Sequence, residues 1–171
     1  MFSTLHWLCI FLFLYGSYYY MRLVDNFTIP FTHIALMIGM IGVFMENNDV
    51  LAIATSLFSG IAFSFYAVPF FDSNAYFLLM KKNKWSSFEF HCGNFAVHLF
   101  PCILTLHINT QFLHRVCAAV IQFSWGLYMT NGTLCLDDVY IPISKKIWYK
   151  LWFVTLLGNL CPLSFLKSVY S

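Results

Sequence analysis

The sequence predicts an all-α fold, a polytopic membrane helix bundle, and three observations predict it. Hydrophobic residues fill 60% of the 171 positions and charged residues only 9%, whereas a soluble domain carries roughly 25% charged residues. The few charges gather between apolar blocks rather than within them. The blocks they separate have the length of short transmembrane helices. Nine basic and seven acidic side chains cannot clothe a water-facing surface of this size. The apolar content also excludes a disordered chain.

Six blocks follow in order. Leu5–Met21 is closed by Arg22 and Asp25, and Ile29–Met45 by Glu46-Asn47-Asn48-Asp49. Val50–Phe71 has no charge along its length. Phe90–Leu106 follows a basic stretch with Lys81, Lys82 and Lys84. Val116–Thr130 and Leu151–Leu166 complete the set. Several are shorter than the roughly 20 residues that cross a 30 Å hydrocarbon core. They suit a thin bilayer of about 27 Å, such as that of the endoplasmic reticulum or another endomembrane. Tyr18-Tyr19-Tyr20, Trp85, Trp148, Tyr149 and Trp152 stand at block ends, where aromatic belts lie. The expectation is six helices, or five if one short block only rests at the interface.

No linker, low-complexity tail or internal repeat divides the chain, so residues 1–171 read as one integral domain. A net charge of +2 is too small and too scattered for a nucleic-acid surface. The partner that composition demands is the lipid bilayer. The first block has no basic leader and no small-x-small cleavage site, and reads as a retained signal anchor. Six cysteines occur with no C-x-x-C pair, and inside apolar stretches they act as small hydrophobes.

Basic residues set the expected orientation. Arg22, Lys81, Lys82, Lys84, Lys145, Lys146 and Lys150 lie around the odd-numbered loops, with only Arg115 and Lys167 opposite. This places the odd loops in the cytosol. The sequons at Asn26 and Asn131 fall on the same side and oppose that assignment, but both hug a membrane block.

Polar residues inside hydrocarbon are costly and are functional hypotheses by default. In the fourth block His91, Asn94, His98, Cys102 and Thr105 recur at spacings of 3, 4, 4 and 3, one helical face. His98 lies roughly 12 Å below the surface, so the stripe is expected to look inward. In the second block Thr32 and His33 follow Pro30, which suits a first helical turn. The fifth block ends in Trp125, Tyr128 and Asn131-Gly132, a turn signal. Topology gathers Thr32, His33, His91, His98 and Asn131 into one half of the bilayer. His107 and His114 go to the other face as solvated loop residues.

The run His98-Leu99-Phe100-Pro101, then Trp125, Tyr128, Asn131-Gly132 and Tyr140-Ile141-Pro142, resembles the androgen-induced gene 1-like family. Its members are multispanning threonine hydrolases of fatty acid esters of hydroxy fatty acids. The resemblance spans about Thr32 to Pro142. It implies a catalytic Thr early in the second helix, matched by Thr32, and a catalytic His in the fourth, matched by His98. It also implies a fatty-acyl ester as substrate.

That chemistry is physically consistent and calls for no cofactor or metal. A Thr hydroxyl is a weak nucleophile that needs an adjacent base. A neutral His98 accepts its proton and returns it to the leaving alcohol. Asn94 or Asn131 would supply a hydrogen bond to the developing oxyanion. Two other readings stand beside it. A metal-dependent membrane hydrolase would draw on His33, His91, His98, Asp137 and Asp138, but no H-x-x-x-H pair is present. A non-catalytic bundle, carrier or assembly partner, would use the same polar stripe only to join helices.

Overall fold

The computed structural model describes residues 3–23, 31–74, 86–129 and 145–165, and over these the chain is all-α. Helix α1 is Thr4–Leu23, α2 Phe31–Phe44 and α3 Asn48–Phe71. The fourth block is helical as far as Leu104 but changes pitch: α4 Ser87–Asn94, a π-helical turn Phe95–Leu99, then α5 Phe100–Leu104. Helices α6, Phe112–Met129, and α7, Lys145–Leu160, follow. Each apolar block is thus helical, with ends that differ by a few residues from the sequence expectation. Helix α3 is long and apolar enough to cross a membrane alone, while Thr4–Tyr18 and Phe31–Phe44 are shorter apolar helices.

Local chemistry explains the ends. Helix α2 stops where Glu46 takes a left-handed φ of 51°. The amide of Asn47 then reaches Gly42 O at 2.9 Å and that of Glu46 reaches Val43 O at 3.2 Å, the paired bonds of a Schellman motif. Asn47 immediately caps α3, its Oδ1 accepting from the amides of Asp49 and Val50 at 3.0 and 3.1 Å. Helix α4 opens on a capping box. Ser86 Oγ accepts from the Glu89 amide at 3.2 Å, and Glu89 Oε2 accepts from the Ser86 amide at 3.1 Å, which satisfies two orphan donors reciprocally.

Helix α3 is the axis of the bundle, packed against α2, α6, α7 and the π-turn, with α1 lying on α2. Its closest neighbour is α7. A Cβ on Gly158 would meet the Gly60 Cα at 2.7 Å and Ser59 O at 2.9 Å. Only two glycines let these backbones approach so closely. A polar lock joins α7 to α6. The Asn159 amide donates to Gln122 Oε1, and Gln122 Nε2 donates to Trp152 O at 3.2 Å. Both side chains are buried.

The outer surface carries large apolar side chains on several helices, including Trp7, Phe11, Leu14, Val120, Phe123 and Phe153. One expectation is corrected here. His114 is buried, not a solvated loop residue. It sits in the first turn of α6, its Nδ1 accepting from the Gln111 amide at 3.2 Å and its Nε2 lying 3.2 Å from Asp49 Oδ1. His107 is exposed.

Candidate functional site

The site builds from the π-turn. Pro101 has no N–H to give the Val97 carbonyl and its ring crowds that oxygen. The helix widens there, and the Phe100 amide bonds Phe95 O, five residues back. Single π-turns inside α-helices occur frequently at functional sites. This one carries His98.

His98 is 7% exposed, and its ring stacks on Phe65 of α3 with centroids 4.1 Å apart and planes 16° apart. Its Nδ1 lies 3.1 Å from the main-chain oxygen of Asn94. A carbonyl only accepts, so Nδ1 carries the proton. In the neutral ring Nε2 then holds the basic lone pair. Asn94 is 2% exposed and acts on His98 through its backbone.

The predicted inward stripe is only partly buried. Asn94, His98 and Cys102 are buried, but His91 is exposed, and Phe90 beside it takes the buried position of that turn. Thr105 is half-buried and donates to Pro101 O at 2.9 Å. Cys102 Sγ lies 3.5 Å from Ser59 Oγ, which also accepts from the Leu163 amide at 3.2 Å.

Thr32 lies in the first turn of α2 and is 6% exposed. Its neighbours fix the turn. Phe31 packs on Trp125 of α6, centroids 5.2 Å apart, and His33 on Phe13 of α1, centroids 4.5 Å apart. Among the described residues no hydrogen bond joins Thr32 to His98. The hydroxyl that meets an imidazole on this side is Ser17, whose Oγ lies 3.4 Å from His33 Nε2 while donating to Phe13 O at 2.8 Å. With that proton committed, His33 Nε2–H is the donor and Ser17 the acceptor.

Sequence reasoning missed Ser17, Phe65, Gln122 and Asn159. Ser17 and Phe65 bear no local signal, since helix pairing alone brings them to a histidine. Gln122 and Asn159 did bear one, a polar side chain in an apolar block. Asn131, Gly132, Asp137, Asp138, Tyr140 and Pro142 lie outside the described residues. Among the described residues no three His, Cys, Asp or Glu side chains converge on a common point.

No family model, curated protein or solved structure matches the chain.

Proposed function

We propose that this chain is a polytopic endomembrane protein that hydrolyses fatty-acyl esters, with Thr32 as nucleophile and His98 as base. The observation that carries the reading is the hydrogen bond from His98 Nδ1 to the Asn94 carbonyl. It presents a buried imidazole in the tautomer a general base needs. Thr32 Oγ1 attacks the ester carbonyl carbon while its proton passes to His98 Nε2. Collapse of the tetrahedral adduct expels the alcohol, which takes that proton, and leaves an acyl-threonine. Water then attacks the acyl carbon, His98 takes its proton, and fatty acid and free Thr32 are released. Asn94 and Asn131 are the proposed oxyanion donors. The likeness of Thr32, His98 and the Asn131-Gly132 region to the androgen-induced gene 1-like family supports the same assignment.

The membrane part rests on the apolar outer faces of α1, α6 and α7 and on the charge-free run Val50–Phe71 of α3. A soluble chain of this size has no reason to expose so many large apolar side chains. Accessibility of single cysteines placed in successive loops tests it. Alternating protection in sealed microsomes is expected, and protection of only one loop would contradict a polytopic bundle.

A second reading, a non-catalytic bundle, is favoured by the Gln122–Asn159 hydrogen bond, a buried polar pair that joins two helices. Ester turnover by purified protein separates the two. Turnover lost in Thr32→Ala and His98→Ala but recovered in Thr32→Ser supports the hydrolase. Turnover unaffected by either alanine supports the bundle.

A further inference from the structure

One turn beyond the proposed pair the bundle leaves a half-open cavity of about 70 Å³ between α1, α2, α3 and α5. Its walls include Leu12, Leu36, Val43, Phe58 and Pro101, and His107 stands at its far end. The lining is almost wholly apolar, and the Thr105 hydroxyl there is already bonded to Pro101 O. A space without unsatisfied polar groups stays dry and favours an apolar occupant. Leu36 follows Thr32 by one turn on α2, and Pro101 follows His98 by about one turn beyond the π-turn. Both helices that bear the proposed catalytic groups therefore run directly from those groups into the cavity wall.

We infer that the cavity between Leu36 and Pro101 receives the aliphatic tail of a medium-length acyl chain whose carbonyl lies at Thr32 and His98. The placement of the carbonyl rests on the hydrolase reading; the cavity and its apolar occupant do not. Size and shape select the tail. An engineered cavity of about 150 Å³ admits benzene, and this one is about half as large, so it seats a few carbons of a thin chain. About 5.4 Å of helix separates the proposed reacting groups from its mouth, which adds a few carbons more. The flexible thioether of Met40 lines the same space and yields to chain ends of differing length. Long straight chains exceed the space.

The test uses the full chain in nanodiscs with a diazirine-bearing octanoic acid and, separately, butyrate, octanoate and palmitate esters. Photolabel is expected on peptides containing Leu12, Leu36 or Pro101, saturable and competed by octanoate. Leu36→Phe and, independently, Met40→Trp fill the space and are expected to reduce that label at least fivefold. The same variants are expected to shift ester preference from octanoate towards butyrate. Thr32→Ala is expected to abolish turnover while keeping the photolabel. Saturable cavity label without turnover in the unaltered protein would sustain the acyl site and sink the hydrolase reading. Label spread over the outer faces, or unchanged in both well-folded filling variants, would overturn the acyl site itself.

Discussion

The His98 ring lies flat on Phe65, 4.1 Å between centroids, and donates through Nδ1 to the Asn94 carbonyl. One contact fixes the plane of the imidazole and the other its proton. Removing the floor frees the plane. Phe65→Ala is expected to lower kcat for ester hydrolysis roughly tenfold to a hundredfold with a smaller effect on KM, since misplacement of a reacting group by about 1 Å can cost 10²-fold. Phe65→Tyr keeps the stacking surface and should restore most of the rate. Steady-state kinetics on both variants check this; equal rates in Phe65→Ala and the unaltered protein would show that the ring needs no support.

Ser17 approaches His33 more closely than Thr32 approaches any described histidine by hydrogen bonding, yet its proton belongs to Phe13 O. A hydroxyl that accepts from imidazole is a tether between α1 and α2, not a nucleophile. Ser17→Ala is therefore expected to keep ester turnover within about twofold and to lower thermal stability by about 1 kcal/mol. Loss of turnover with folding intact would move the nucleophile from Thr32 to Ser17.

The packing of α7 against α6 and α3 predicts purely structural defects. Asn159→Leu breaks the bond to Gln122, and interhelical hydrogen bonds in membranes are worth about 0.6 kcal/mol on average and up to about 1.7. The expected loss in detergent unfolding assays is about 1 kcal/mol, with ester turnover per folded molecule unchanged. Gly158→Val should be far more severe, because its side chain would enter the Gly60 backbone.

Glu46 holds a left-handed φ of 51° at the position of the Schellman turn that glycine ordinarily fills. An L-residue costs about 1–2 kcal/mol there. Glu46→Gly is expected to stabilise the protein by about 1 kcal/mol, read as a higher unfolding midpoint. A lower midpoint would mean that the Glu46 side chain contributes more than its backbone costs.

Much of this architecture is legible in the residues. Charge-free runs such as Val50–Phe71 become helices because a helix pairs the backbone of an apolar run within the run itself. The Asn47 cap and the Ser86–Glu89 box mark two starts by their side-chain chemistry. The π-turn was not legible, although Pro101 announced a disturbance, because sequence does not say whether a helix answers proline by kinking, breaking or widening. That choice shaped the turn that carries His98. The burial of His114 was equally hidden, since it depends on Asp49 arriving from another helix. At the site, the inward position of His98 followed from its helical stripe. The ring contacts did not, because Phe65 reaches His98, and Phe13 and Ser17 reach His33, only through tertiary packing.

Labelling with a fluorophosphonate probe, followed by mass-spectrometric mapping of the modified residue, tests the central claim most directly. The account predicts adduct on the peptide containing Thr32, absent in Thr32→Ala and strongly reduced in His98→Ala while both variants remain folded. An adduct on another residue, or equal labelling of all three proteins, would contradict activation of Thr32 by His98.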